Sequence, residues 1–146
     1  MSIVAPPDTG ALAARLRLAV TRLARKLRQE AEAGITPSML SALSSVDRAA
    51  RLTMRELCAA EQVQPPTLTR VVAALVDDRL VVREVDPEDR RLAWVSLTAE
   101  GRKLLERSRR RKDAFLTKRL RALEPHEIAL LEDAAGLMER LTEGAS

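Results

Sequence analysis

The sequence is poor in the residues that build disulfide frameworks, metal sites and aromatic cores. Its 146 residues include one cysteine, one histidine, one tryptophan, one phenylalanine and no tyrosine. A single cysteine, Cys58, excludes an intramolecular disulfide framework and any site built from several thiolates. With His126 as the only histidine, a zinc site is not expected either. We therefore expect no metal and no cofactor, and an interior made mainly of leucine, valine and alanine.

Long apolar runs and glycine-rich loops are missing as well. No window reaches the roughly 18 apolar residues that a membrane span requires. The first ten residues, MSIVAPPDTG, lack the cationic and apolar regions of a secretory signal. We expect a cytoplasmic protein with no membrane partner. The sequence also has no phosphate-cradling glycine loop and no nucleophile with a paired base, so it does not predict an enzyme.

What the sequence does contain is typical of one soluble globular domain. It is 46% hydrophobic and 32% charged, with only 5 glycines, a composition that favours helices. The net charge of +4 and the pI near 10.0 suggest a polyanionic partner. However, residues 36–98 hold nine acidic and eight basic side chains. Nucleic-acid binding by this segment must therefore depend on where a few arginines are placed.

Hydrophobic periodicity and capping residues predict three helices in the first part of the chain. An apolar stripe at helical spacing covers Thr9–Glu32. Thr36-Pro37 begins a second helix, and the chain turns over Asp47–Arg51. Thr53 and Glu56 form a capping box that begins a short third helix, which ends near Ala60.

The stretch VQPPTLTR begins a fourth helix. Leu68, Val72 and Leu75 lie on one predicted buried face, and Arg70 lies on the opposite face. A residue before proline avoids the helical region, so we expect Pro65 to be the extended cap residue and Pro66 the first helical residue.

The second half of the chain predicts a β-hairpin between helices. Two β-prone runs, 80–85 and 92–97, are joined by the polar loop DPEDRR. Thr98 begins a long fifth helix and Glu124-Pro125 a sixth. The order of helix three, tight turn, helix four and hairpin predicts a mainly α fold with a small β-hairpin wing, a winged helix-turn-helix. The first and the sixth helix, which lie outside this domain at the two ends of the chain, carry further apolar stripes.

Two groups of residues are candidates for DNA contact. Arg70 can bind guanine bidentately in the major groove, while Thr67 and Thr69 can contact phosphate or a base edge. The helix start, whose N–H groups at 67–69 lack an obvious side-chain acceptor, can hold a phosphate or simply be capped by water. The predicted recognition-helix contacts are Gln64, Pro65, Pro66, Thr67, Thr69 and Arg70.

In the wing, Asp89 is close enough along the chain to brace the Arg91 guanidinium, which could then enter a narrow minor groove. An ordinary solvated turn is the alternative, and Arg90 belongs to the same candidate set. The basic run Arg102–Lys112 is either a solvated helix face or a contact to the DNA backbone. Cys58 is interpreted as a small buried hydrophobe in preference to a redox switch.

The segment LTMRELCAAEQVQPPTLTRVVAALVDDRLVVREVDPEDRRLAWVSLTAEG resembles the multiple antibiotic resistance regulator (MarR) family. The most specific part is DPEDRRLAWVSLTAEG, which is similar to that family's wing motif of Asp-x-Arg followed by Leu-Thr-x-x-Gly. The resemblance implies that Asp89 and Arg91 match the bracing aspartate and the minor-groove arginine.

The resemblance also implies a homodimer and a small-molecule effector. Terminal helices 9–35 and 99–143 would form the dimerisation region, residues 36–98 the DNA-binding domain, and residues 1–8 and 144–146 flexible tails. The predicted interface residues are Leu12, Leu16, Leu23, Leu131, Leu137 and Leu141. A small aromatic or anionic effector would bind between the dimer helices and the winged domain, with Arg17, Leu40 and Trp94 as candidate contacts.

The function predicted from the sequence is a dimeric, ligand-responsive regulator that binds a palindromic operator in double-stranded DNA and represses transcription. The alternative is a protein-interaction module that has the winged fold without DNA binding.

Overall fold

The computed structural model describes residues 5–32 and 34–144 and contains six helices and three strands within those ranges. This architecture confirms the predicted fold class, mainly α with a small β-hairpin wing. In chain order the elements are α1 (Thr9–Gln29), α2 (Pro37–Ala49), β1 (Arg51–Thr53), α3 (Met54–Glu61), α4 (Pro65–Asp77), β2 (Val81–Val85), β3 (Ala93–Leu97), α5 (Ala99–Leu120) and α6 (Pro125–Thr142).

The core lies among α2, α3, α4 and the sheet. Leu43, Leu57 and Leu75 are completely buried there, and Val95 brings β3 into the same cluster. Leu105 adds the first half of α5 to this core. The apolar face that the sequence predicted for α4 is confirmed, since Leu68, Val72 and Leu75 are its buried residues.

The sheet has one strand that the sequence did not predict. Its order is β1-β3-β2, and both pairings are antiparallel. We expected a turn over Asp47–Arg51, but α2 continues to Ala49, and Ala50 alone reverses the chain with φ of 66°. Because a single residue makes the turn, Arg51 is already extended and pairs with Ser96.

Threonine hydroxyls begin three of the helices, as the capping signals predicted. Thr36, Thr53 and Thr98 each accept a backbone N–H three residues further on. Thr98 also donates its hydroxyl to the Arg79 carbonyl at 2.7 Å. The two bonds of Thr98 fix α5 to the end of the α4–β2 connection.

Gly101 allows α5 to lie directly on the backbone at Leu80. A Cβ at position 101 would overlap the Leu80 carbonyl oxygen. The Leu-Thr-x-x-Gly pattern therefore has a physical cause here, because the threonine caps the helix and the glycine permits the close approach.

The two terminal helices bury little of their apolar surface within the chain. Neither α1 nor α6 contains a buried residue. Leu12, Leu23, Leu137 and Leu141 are all exposed, Leu141 to 74%. Within the described residues, none of the helices is long and apolar enough to cross a membrane.

Candidate nucleic-acid interface

Helix α4 begins one residue earlier than predicted. Gln64 is the extended cap residue, with φ of −76° and ψ of 151°, and Pro65 is the first helical residue. The expectation that Pro65 would be the cap was wrong. Both prolines tolerate the first turn because neither has an N–H to leave unpaired there. Gln64 also precedes a proline and is the extended residue, whereas Pro65 is helical although Pro66 follows it.

The earlier start changes the number of free N–H groups at this end of α4. The Leu68 N–H donates to the Gln64 carbonyl at 3.1 Å. The prolines have none, so among residues 65–68 only the Thr67 N–H lacks an acceptor within the described structure. We expected three free N–H groups at 67–69. The helix start is therefore a weaker anion site than the sequence suggested.

The exposed face of α4 carries most of the predicted recognition residues. Gln64, Pro65 and Pro66 are exposed, as are Thr69 and Arg70. The Thr69 hydroxyl donates to the Pro65 carbonyl at 2.8 Å, which leaves it an acceptor for an outside donor. Arg70 makes no ion pair with any described residue.

Thr67 differs from the other predicted recognition residues. It is half-buried and lines a cleft between α2, α4 and α5, whereas the other five are exposed. Because Thr67 lies three residues before Arg70 on the same helix, it is at the border between this cleft and the exposed face of α4.

The wing contains an Asp89–Arg91 ion pair, which was one of the two alternatives that the sequence left open there. The Asp89 carboxylate accepts from Arg91 Nε at 2.9 Å, from Nη2 at 3.0 Å and from the Arg91 backbone N–H at 3.1 Å. The side-chain bond from Arg91 is the largest cause of the lowered pKa of Asp89. The Arg91 side chain remains 89% exposed, so the pairing orients its guanidinium without covering it. Arg90, beside it, is exposed.

Asp86 organises the start of the wing loop, a role that the sequence reasoning missed. Its carboxylate accepts the Trp94 indole N–H at 2.9 Å and two backbone N–H groups of the loop. The bond from Trp94 is the largest cause of the lowered pKa of Asp86. An aspartate followed by proline is a turn signal that could have indicated the backbone bonds, but not the bond to Trp94.

A groove of about 360 Å³ separates the wing from the start of α3. Arg55 of α3, Arg83 of β2 and Arg91 of the wing line it together. Arg55 and Arg83 were not among the predicted contacts, because only the pairing of β1, β3 and β2 brings them to one groove. Neither arginine forms an ion pair within the described part of the chain.

A larger cleft of about 560 Å³ lies between α2, α4 and α5. Leu40 lines it, as do Thr67 and Val71 of α4. The other two predicted ligand contacts are elsewhere: Arg17 is exposed on α1, and the Trp94 indole N–H is bonded in the wing. The structure does not bring these three residues to one cavity.

The cleft carries basic and hydroxyl groups. Arg28, Arg48, Arg109 and Lys112 line it, and Arg109 is paired with Asp47 at 3.2 Å. The Ser108 hydroxyl is buried against the cleft and has no hydrogen-bond partner within the described residues. An unpartnered buried hydroxyl is costly, and it is free to make one hydrogen bond if a polar group comes within reach.

The comparisons with known proteins agree on one family. The MarR family model matches residues 33–92. The chain is 38% identical to an uncharacterized HTH-type transcriptional regulator of Mycobacterium leprae, over 90% of this chain and 93% of that protein. A Pseudomonas aeruginosa protein assigned as a transcriptional regulator has a crystal structure with a TM-score of 0.84, 36% identity, and coverage of 96% of this chain and 100% of that chain.

The apo structure of wild-type MarR from E. coli is also similar, with a TM-score of 0.75 and 26% identity over 94% of this chain and 98% of that chain. These relatives are transcriptional regulators and not enzymes, which agrees with the sequence prediction. The chain belongs to the MarR family of helix-turn-helix transcriptional regulators.

Proposed function

We propose that this regulator binds double-stranded DNA as a homodimer, with α4 in the major groove and the wing in the adjacent minor groove. The observation that carries the proposal is the Arg91 guanidinium, which is almost fully exposed and yet held bidentately by Asp89. A braced arginine loses less conformational freedom on entering a narrow groove of negative potential. A protein that binds DNA in this way would act in the cytoplasm, which is the location we propose.

Arg70 is the proposed base-reading residue. It projects from a face on which Pro66 and Ala73 are small, so its guanidinium can reach base edges without competition from longer neighbours. A bidentate contact to guanine contributes about 1–3 kcal/mol of discrimination. The groove arginines Arg55 and Arg83 would contact backbone phosphate between the helix and the wing.

The experiment is a fluorescence anisotropy titration of labelled DNA from the region upstream of the protein's own gene. Arg70→Ala should lower the preference for the specific site, whereas Arg83→Ala should weaken specific and random DNA equally and reduce the salt slope by about one. Arg121→Ala, which removes the same charge from the end of α5, is the control. No binding by the wild-type protein would favour the protein-interaction module instead.

The proposed dimer joins terminal helices of opposite charge. Helix α1 has six basic residues and no acidic one, whereas α6 has four acidic residues and one basic residue. Both expose leucines, including Leu12, Leu16 (half-buried) and Leu23 on one and Leu131, Leu137 and Leu141 on the other. Packing α1 against α6 of a second copy would bury the apolar stripes and pair the charges.

Light scattering after size exclusion tests the dimer. Leu131→Glu should produce a monomer, because it places a charge in the proposed interface. Val82→Glu is the matched control, since Val82 is exposed to 41% and Leu131 to 42%, but Val82 lies on β2. Equal behaviour of the two variants would argue against the proposed interface.

The proposed effector is a small anionic molecule bound in the 560 Å³ cleft, and its binding would release the operator and end repression. Ser108 and Lys112 would contact its polar group, and Leu105 its apolar part. Because Thr67 and Val71 line the same cleft, a bound molecule would contact the recognition helix directly. Benzoate should raise the melting temperature of the wild type and not of Lys112→Met; Lys103→Met, on the exposed part of α5, is the control.

A further inference from the structure

The hydrogen bonds that hold the wing loop converge on the Asp86 carboxylate. Oδ1 accepts the backbone N–H of Glu88 at 2.8 Å and that of Asp89 at 3.0 Å. Oδ2 accepts the indole N–H of Trp94 at 2.9 Å. The first two donors belong to the loop and the third to β3, so one side chain ties the loop to the sheet.

Trp94 is itself contacted by a residue of the neighbouring strand β1. The guanidinium carbon of Arg51, on β1, lies 3.9 Å from the centroid of the Trp94 ring. This distance is well within the range of a cation–π contact, about 6 Å. Arg51, Trp94 and Asp86 thus form a continuous set of contacts from β1 to the wing loop, here named the wing anchor.

The wing anchor continues to Arg91 through Asp89. The Asp89 N–H donates to Asp86, and the Asp89 carboxylate in turn accepts three bonds from Arg91. The loop is closed by the Asp86 N–H to the Leu92 carbonyl at 2.9 Å and by the Leu92 N–H to the Asp89 carbonyl at 3.0 Å. The orientation of the exposed guanidinium is therefore set by a carboxylate that is itself seated on Asp86.

We propose that Trp94 and Asp86 are positioning residues for DNA binding, which hold the loop 86–91 so that Arg91 is oriented for the minor groove before DNA arrives. This inference rests on the proposed role of the wing in DNA binding. It assigns Trp94 to the DNA-binding surface and not to the effector cleft. It also means that Asp86, although negatively charged, would favour the binding of DNA.

The expected effect follows from the fraction of molecules with a competent loop. If removal of the anchor leaves a third to a tenth of the loops in the binding conformation, the affinity for DNA falls about threefold to tenfold. The lowered pKa of Asp86 is consistent with this geometry, because all three of its donors favour the ionised carboxylate.

Two substitutions of equal charge separate positioning from simple repulsion. Asp86→Asn and Glu88→Gln each remove one negative charge from the same loop, and the Glu88 side chain makes no hydrogen bond or ion pair with a described residue. In Asp86→Asn the amide nitrogen must face one of the N–H donors, so the loop loses at least one bond. We expect Asp86→Asn to weaken DNA binding and Glu88→Gln to leave it unchanged or strengthen it. Stronger binding by both variants would show that repulsion dominates and would overturn the proposal.

A double-mutant cycle with Arg91→Ala tests whether the anchor acts through Arg91. Trp94→Phe keeps an aromatic ring at this position but loses the indole N–H, so it should weaken DNA binding about threefold or more in the wild-type background and have no further effect when Arg91 is already alanine. Equal losses in both backgrounds would overturn the positioning role. The circular dichroism spectrum and melting temperature of each variant distinguish a local effect from a loss of folding.

The outcome for Arg91→Ala separates the two proposals. If Arg91→Ala weakens binding and the anchor variants do not, the positioning role fails and the proposed function survives. If Arg91→Ala has no effect, the wing has no role in binding and both fail. Trp94 is the only tryptophan, so its emission gives an independent readout: Asp86→Asn should shift it to longer wavelength and increase its quenching by acrylamide, whereas Glu88→Gln should change neither.

Discussion

The close approach of α5 to the Leu80 backbone makes Gly101→Ala a severe test of how the wing is joined to the rest of the molecule. The added methyl group would overlap a backbone carbonyl and not the end of a flexible side chain. Relief requires α5 or the α4–β2 connection to move. Either movement strains the two hydrogen bonds of Thr98, to the Arg79 carbonyl at 2.7 Å and from the Gly101 N–H at 3.0 Å.

The magnitude follows from the kind of contact. Overpacking a buried site costs about 1–3 kcal/mol, and a clash with backbone belongs at the upper end of that range. The helix propensity of alanine returns about 0.5–1 kcal/mol, because glycine is unfavourable inside a helix. We therefore expect a net loss of roughly 2 kcal/mol in the free energy of unfolding, or about 4–8 °C in melting temperature for a domain of this size.

Urea unfolding followed by circular dichroism and by Trp94 emission measures this loss, at one protein concentration because a dimer's stability depends on it. Gly136→Ala is the matched control: Gly136 is also inside a helix, but a Cβ there meets nothing within 4 Å. It should stabilise the protein by about 0.5–1 kcal/mol. A Gly101→Ala variant as stable as Gly136→Ala would refute the argument that glycine is needed for this approach.

Three further predictions concern the core, the wing and the operator. Leu57→Ala, at a completely buried site, should cost about 2–5 kcal/mol in the free energy of unfolding, and a loss under 1 kcal/mol would mean that the core is not packed as described. Folded-state pKa values of Asp86 and Asp89 lie below the usual aspartate value, so their stabilising bonds are complete above about pH 4. These bonds should be lost only as the pH falls below that value through the lowered pKa values. The Trp94 emission should accordingly stay constant from pH 7 to about pH 4.5, and a transition near pH 6 would contradict this assignment. Arg70→Ala should reduce the preference for operator over random DNA about fivefold to a hundredfold, equivalent to one base contact of about 1–3 kcal/mol; unchanged discrimination would remove Arg70 from base readout.

Local signals in the sequence were sufficient for most of the fold. The threonine caps at 36, 53 and 98 begin helices in the structure because each hydroxyl accepts an N–H of the first turn. The hairpin was also predictable, since two β-prone runs flank a polar loop whose first residue, Asp86, is followed by proline. In these cases the interacting groups are only a few residues apart along the chain.

Features that depend on distant segments could not be predicted in this way. Strand β1 has three residues and no pattern of its own, and it exists because Arg51–Thr53 pairs with β3 some forty residues later. The same pairing brings Arg51 over Trp94. The predicted start of α4 was one residue late. Gln64 and Pro65 both precede a proline, and the sequence alone does not show that Gln64 is the extended one.

In the candidate site, too, the features that depend on neighbouring residues were easier to predict than those that depend on distant segments. The Asp89–Arg91 pair could be considered from the sequence, as an alternative to a solvated turn, because its residues are two apart. The groove shared by Arg55, Arg83 and Arg91 needs three elements to assemble. Helical periodicity put Thr67 on the flank of the exposed face of α4, but it could not show that Thr67 also lines the cleft with residues of α2 and α5. The roles of these residues in binding remain predictions for the experiments above.

The most direct test of the central claim is a stoichiometric titration of a labelled duplex from the protein's own upstream region, at concentrations well above the dissociation constant. If two copies join through their terminal helices and each presents one recognition helix and one wing to a half-site, the anisotropy should reach its plateau at two chains per duplex. A plateau at one chain per duplex, or no specific binding at all, would contradict it.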